Sequence, residues 1–194
     1  MPGALALRSP GKRSEGGAAV YLSLGSNIDP EANVMAAVRE LGREVRITGI
    51  STVYRTKALG GSQPDYYNCV LRAETALQPE ELKFGLLRRI EQCLGRERGE
   101  DRYAPRTIDI DILIYGSAVV DGLGLTVPDP DILERPFLAA GLLELDPLIV
   151  LPGRGRSLAE ECQSMDMGGM EALRSFTERV RLAAGFSSRG AHSV

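Results

Sequence analysis

Residues 107–115 read TIDIDILIY, and no other stretch narrows the possible folds so far. Successive side chains of a strand point to opposite faces, so Asp109 and Asp111 stand on one face with Cα atoms about 6.5–7 Å apart. Ile108, Ile110, Ile112 and Ile114 take the other face, which must lie against a core. Two carboxylates side by side do nothing for folding, because like charges repel and raise each other's pKa. A bound divalent cation removes that objection. Carboxylate oxygens suit magnesium, which keeps several waters and takes phosphate oxygens as further ligands. Two such ions about 3.5–4 Å apart form a clamp for phosphoryl transfer. A bare D-x-D pair is also the ordinary look of a solvated strand face, so its surroundings decide.

Those surroundings are basic. Arg96, Arg98, Arg102 and Arg106 fall within eleven residues, in a loop that also holds Gly95 and Gly99. Guanidinium groups grip phosphate oxygens bidentately, and a glycine-bearing loop can close over a ligand. Glu97, Glu100 and Asp101 offer the plainer alternative of pairing on the surface. A second group follows the Gly/Pro loop 59–64: Tyr66 supplies a flat ring, and Asn68, on the same strand face, supplies an amide that both donates and accepts. That pair suits a flat heteroaromatic ligand, although a Tyr-x-Asn pair is often ordinary strand packing. The sole histidine, His192, lies two residues from the end of the sequence, so histidine base catalysis has no good candidate. Gly25-Ser26-Asn27 resembles a phosphate turn only superficially, since neither GxGxxG nor GxxxxGK[ST] is present.

Length and periodicity indicate one domain with additions. The chain has 194 residues, within the size of a single core. Residues 1–17 lack apolar periodicity and read as a disordered leader; basic residues follow the only short apolar run, which is not the order of a signal peptide. A strand from Ala18 is followed by a helix announced by Asp29 at the N-cap and Pro30 at N1, with Met35, Val38, Leu41 and Val45 at helical spacing. Strands are expected over Val45–Thr56 and Tyr66–Thr75. A helix opened by Pro79 carries Leu82, Leu86, Ile90 and Leu94 as its stripe and ends at Gly95. After the 107–115 strand come short strands at 119–120 and 126–127 and a helix over Phe137–Leu145. The order is close to β-α-β-β-α-β, an α+β sandwich on a largely antiparallel sheet. The expected divisions are a leader over 1–17, a catalytic domain over 18–153 and a partly helical tail over 154–194. Leu173, Phe176, Val180 and Ala183 give the tail one amphipathic helix, and the last ten residues read as disordered. Cys69, Cys93 and Cys162 have no metal or disulfide spacing and read as small hydrophobes, Cys69 and Cys93 especially.

Four motifs in order give the chain a family resemblance: Tyr21–Asn27 (YLSLGSN), Tyr54–Thr56 with Gln63–Asn68 (QPDYYN), the Arg89-Ile90-Glu91 to Gly95-Arg96 helix end, and Arg102–Asp111 (RYAPRTIDID). Together, spanning about Val20 to Pro152, they make the chain similar to the 6-hydroxymethyl-7,8-dihydropterin pyrophosphokinases. The resemblance implies a ferredoxin-like α/β fold and transfer of pyrophosphate from ATP to the pterin hydroxymethyl group, releasing AMP. It implies two magnesium ions on Asp109 and Asp111, and catalytic roles for Arg96, Arg106 and Asp111. ATP would be met by Arg96, Arg98, Arg106, Glu91 and Ile112. The pterin would stack between Tyr66 and Phe137, with Asn68 and the backbone near Thr56 and Leu59 reading its edge. Tyr103 stands where the family often has an aromatic residue. Where the family commonly has a histidine after the late Val-Pro, this chain has Asp129, so backbone, Thr126 and Arg135 are the expected substitutes toward ATP.

The expected partners are the two small molecules alone, with no nucleic acid or membrane, in a cytoplasmic monomer. Two other classes compete. Nucleotidyl transfer also uses paired aspartates and magnesium, but leaves AMP on the acceptor. A base-stacking binding module on the same fold needs a basic, aromatic sheet, whereas this chain has six tyrosines, four phenylalanines, no tryptophan and a net charge of −3.

Overall fold

The structure is a computed structural model that describes residues 17–58, 63–97, 104–122 and 124–186. Strand β1 (Ala18–Ser26) runs up the middle of a six-stranded antiparallel sheet, with β5 (Asp109–Tyr115) on one side and β4 (Tyr66–Thr75) on the other. Strands β2 (Arg46–Ile50) and β3 (Tyr54–Thr56) both pair with β4, at its two ends. Strand β8 (Met170–Ala172) then adds an edge to β3. Strands β6 (Val120–Gly122) and β7 (Leu125–Val127) form a separate hairpin.

Both faces of the sheet are covered. On one, Leu22, Leu24, Leu71, Ile110 and Ile112 pack with Val34, Val38 and Leu41 of helix α1 (Pro30–Glu44), with Leu82, Leu86 and Ile90, and with Phe176 and Val180 of the last helix. On the other, Tyr21, Val70, Leu113 and Ile114 pack with Leu138, Ala139 and Leu142 of helix α3 (Pro136–Leu145) and with Leu158 of the short helix α4 (Leu158–Glu161). Gly141 lets α3 approach β4: a Cβ there would stand 2.6 Å from a Val70 methyl.

Four expectations about local structure change. The strand expected over Val45–Thr56 is broken, because the backbone at 52–53 bonds elsewhere. The Thr52 N–H donates to Glu144 (2.7 Å), the Val53 N–H to Thr177 Oγ1 (2.9 Å), and the Val53 carbonyl accepts from the Leu173 N–H (2.9 Å). Ile114 does not share a face with Ile110 and Ile112. A bulge sets Ile114 opposite Tyr21 and Ile112 opposite Leu22, and the extra residue, Leu113, reverses the alternation. Asp29 stands at the N-cap of α1 with φ 41°, but its side chain makes no capping bond. Cys93 is exposed, since Glu91 takes the buried position in that last helical turn.

The helix after β4 carries the departure with most consequence. Its stripe of Leu82, Leu86, Ile90 and Leu94 is spaced by four throughout, and on a helix of 3.6 residues per turn each step drifts about 40°. The structure absorbs the drift by running Glu81–Leu87 as wider π-helical turns before α2 (Arg88–Cys93) resumes the regular winding. Gly95, at φ 76°, ends that helix as expected, its N–H donating to Gln92 O and the Arg96 N–H to Glu91 O.

The tail segment is partly helical, and its described part packs into the domain. Helix α5 (Arg174–Ala183) buries Phe176 and Val180, Arg181 donates to Ile50 O (3.0 Å), and Arg179 pairs with Glu31 of α1 (2.8 Å). No helix among the described residues is long and apolar enough to cross a membrane.

Candidate active site

Asn27, at the end of β1, draws three segments together. Its Nδ2 donates to Gln63 Oε1 and Pro64 O (3.4 Å each), its Oδ1 accepts from the Arg106 N–H (2.7 Å), and its own N–H donates to Arg106 O (3.1 Å). Ser26 Oγ adds a bond to Thr107 O (2.6 Å). The turn that looked like a phosphate loop is thus a clasp. It ties the segment before β4 and the segment before β5 to the end of β1 beside a cavity of about 620 Å³ lined by both Gln63 and Arg106, within the range of small-molecule sites.

The cavity brings together most of the residues singled out from the sequence. Thr56, Tyr66, Asn68 and Phe137 line it, and so do Arg106, Asp109, Asp111 and Arg135. Asn68 is buried, and its Nδ2 donates to Thr56 Oγ1 (2.8 Å), which fixes the amide's orientation. Gly25 faces it across β1–β4: a Cβ there would stand 2.7 Å from Asn68 Oδ1. Burial pushes the Tyr66 hydroxyl above its ordinary range despite the nearby Arg106 charge, so the ring stays neutral.

The aspartates are not the bare repelling pair that the sequence suggests. Arg96 donates to Asp109 Oδ1 and Arg106 to Asp109 Oδ2. Burial alone would raise the Asp109 pKa, but the two guanidinium groups outweigh it and hold the carboxyl below its ordinary range. Arg96 is itself pinned from behind: Glu91, buried, accepts from its Nη1 (2.8 Å) and from the Ile110 N–H (2.9 Å), and Ile108 O accepts from the same nitrogen (3.1 Å). Glu91 therefore sits behind Arg96, and neither side chain lines the cavity: Arg96 reaches the site only through Asp109. Asp111 has its own cation, since Lys83 donates to its Oδ1.

A smaller cavity of about 170 Å³ shares Asp111 and Asp129 with the larger one and is lined by Ile112, Thr126 and Lys83 as well. Asp129 caps the 3₁₀ turn Pro130–Leu133, accepting from the Asp131 N–H (2.9 Å). Burial, with the charges of Asp111 and Asp131, outweighs that bond and the Lys83 charge, and pushes its carboxyl up to about 6. Arg135 pairs with Asp131 (2.7 Å).

The donor set fits magnesium better than a metal that needs a full protein cage. Asp109 and Asp111 supply hard oxygens from one strand face, and the described residues hold no group of three or more histidine, cysteine or carboxylate side chains able to bind a metal. The remaining ligands of a cation held there would come from water and phosphate, which is magnesium's habit.

Leu59, Arg98, Arg102 and Tyr103, all named from the sequence, lie outside the described residues. Sequence reasoning missed Asn27 as the clasp and Lys83 as the partner of Asp111. It also missed Gly168, Gly169 and Met170, which close one side of the large cavity. The Tyr21–Asn27 motif held the signal for the first; the other two depend on contacts far apart in the chain.

Comparison with known proteins shows which family the chain resembles. The family model for 7,8-dihydro-6-hydroxymethylpterin-pyrophosphokinase (HPPK) matches residues 21–147. A 2-amino-4-hydroxy-6-hydroxymethyldihydropteridine pyrophosphokinase of Aquifex aeolicus is 39% identical over 145 residues, covering 74% of this chain and 89% of the relative. One of the same name from a Synechocystis strain is 37% identical over 148 residues, covering 75% of each. Among solved structures, a Plasmodium falciparum HPPK-DHPS triple mutant with pteroate aligns with a TM-score of 0.63 at 11% identity, over 82% of this chain and 47% of that one. At that identity the likeness speaks for the fold.

Proposed function

The chain belongs to the 7,8-dihydro-6-hydroxymethylpterin-pyrophosphokinase family, which makes it an enzyme of folate biosynthesis that moves pyrophosphate from ATP to the hydroxymethyl group of 6-hydroxymethyl-7,8-dihydropterin, and we propose how its own residues divide that work. The observation that carries the proposal is that one cavity is lined at once by an amide with flanking aromatic residues and by two carboxylates with arginines.

In this reading Tyr66 and Phe137 hold the pterin ring between them. Asn68, its amide aimed by Thr56, reads the ring's edge together with backbone near Thr56 and Leu59. Asp109 and Asp111 would hold two magnesium ions. When bound, these neutralise triphosphate charge and act as Lewis acids on its oxygens. Arg96, Arg98 and Arg106 meet the triphosphate, and Arg135, Thr126 and Ile112 take the rest of the nucleotide. Glu91 acts through Arg96, keeping that guanidinium aligned on Asp109. Phosphoryl transfer asks the protein mainly for positioning and charge stabilisation, so the lack of a histidine among the described residues that line the cavity is no obstacle. In this reading the enzyme works as a cytoplasmic monomer.

Separate binding measurements test the division. Asn68→Ala should lose pterin affinity and keep magnesium–nucleotide binding, while Asp111→Asn should do the reverse. Equal losses of both ligands in both variants would overturn the assignment.

A further inference from the structure

Lys83 was not marked by any motif, yet its ammonium lies inside the site. It projects from the π-helical turns Glu81–Leu87 and donates to Ile110 O (3.1 Å) and to Asp111 Oδ1. Its side chain is 13% exposed against 43% for that of Asp111, so the lysine is the inner member of the pair and the carboxylate the outer one. Among the described residues no other group bonds the Asp111 carboxylate, whereas Asp109 has two arginines. Lys83 also lines the smaller cavity beside Thr126 and Asp129.

We propose that Lys83 is a positioning residue for the nucleotide half of the site: anchored on Ile110 O, it fixes the orientation of Asp111 and offsets the negative charge of Asp129. The inference rests on the reading of Asp111 as a magnesium ligand and adds to it a residue that acts through that ligand. Ile110 is the residue just before Asp111 on β5, so a donor tied to Ile110 O leaves the carboxylate little freedom to turn away. A lysine stem running along apolar surface with its head on a carbonyl and a carboxylate is a rigid support. The π-helical winding is what brings it there, since a regular helix would carry position 83 to a different azimuth relative to Leu86 and Ile90. Partners of this kind, which orient a metal ligand without touching the metal, are worth about 10- to 100-fold in metal affinity.

The test uses the full chain and Mn²⁺ as probe, with binding read from the electron paramagnetic resonance of free Mn²⁺ in the presence of α,β-methylene-ATP. Lys83→Met should weaken Mn²⁺–nucleotide binding by about 10-fold or more, leave pterin affinity unchanged, and be partly rescued in Lys83→Arg. If Lys83→Met fails to fold, Lys83→Gln, which keeps a donor for Ile110 O but no charge, decides the same question. Mn²⁺–nucleotide binding equal to or tighter than that of the parent protein would overturn the proposal, marking Lys83 as a surface partner or a competitor of the metal. Asp111→Asn separates the two levels of the argument. If it loses Mn²⁺–nucleotide binding while the Lys83 variants keep it, only the role of Lys83 falls; if it binds as the parent does, the metal assignment falls as well.

Discussion

Arg96 and Asp109, thirteen residues apart in sequence, meet side chain to side chain, and the same guanidinium nitrogen is held from behind by Glu91. The contact makes Arg96 part of the folded framework as much as part of the site. Arg106, which reaches the other oxygen of Asp109, is the more exposed of the two.

The two arginines should therefore respond differently to removal. Arg96→Ala leaves the buried Glu91 without that counter-charge, and breaking such a pair typically costs about 3–5 kcal/mol of stability. Arg106→Ala should stay closer to the parent in a urea melt and lose turnover instead, by the equivalent of about 2–4 kcal/mol for a donor that meets developing charge. Equal melts with equal turnover losses would show that Glu91 does not matter to folding.

Asp109 and Asp129 set opposite pH trends in the metal-free protein. The Asp109 carboxyl is held below its ordinary range, so its contribution is present above the unfolded value near about pH 4 and is lost as pH falls through its folded value. Asp129 is raised to about 6, so its contribution is present at low pH and lost as pH rises through about 6. Asparagine caps a turn as well as aspartate does. Asp129→Asn should thus be more stable than the parent at pH 7–8, by roughly 1–2 kcal/mol given partial exposure, and equal to it near about pH 4. Chemical denaturation across that range with a chelator present checks this; a gain that persists at pH 4 would contradict it.

Gly25→Ala probes the pterin side without replacing a residue proposed to touch the pterin. The new methyl would stand 2.7 Å from Asn68 Oδ1, and Asn68 is already tied to Thr56, so the amide must turn. Pterin KM should rise by about tenfold or more, as expected when a polar reader of the ring loses its hydrogen bonds, with nucleotide affinity held. An unchanged pterin KM would remove Asn68 from the recognition of the ring.

Phe176→Ala tests the union of the last helix with the core. Phe176 is buried against the ring of Tyr67, at 5.7 Å between centroids, so its loss should cost about 3–5 kcal/mol. A melting temperature equal to that of the parent would mean that α5 does not belong to the cooperative unit.

These contrasts follow how the chain encodes its structure. Asp109, Asp111, Tyr66 and Asn68 were legible because alternation along a strand fixes which residues share a face, and each pair lies two residues apart. Gly95 was legible because one residue decides how a helix ends. The break at Thr52–Val53 was not, since it is made by Glu144 and Thr177, from helices late in the chain, and by Leu173 just before the last of them. The Leu113 bulge was not either: the run from Ile108 to Ile114 reads as one regular strand until β1 sets its register. Lys83 stayed hidden because its meaning depends on the winding of the helix, and a stripe spaced by four records only that some adjustment is needed.

On the proposed assignment the cavity grips a whole triphosphate on the aspartate side and a pterin hydroxymethyl group on the other. Mixing the protein with magnesium, ATP and 6-hydroxymethyl-7,8-dihydropterin and following phosphorus resonances tests it in one measurement. AMP and a diphosphorylated pterin should appear in equal amounts, and both should be absent when Asp111→Asn replaces the parent protein. ADP as the stoichiometric product, or AMP attached to the pterin, would contradict it.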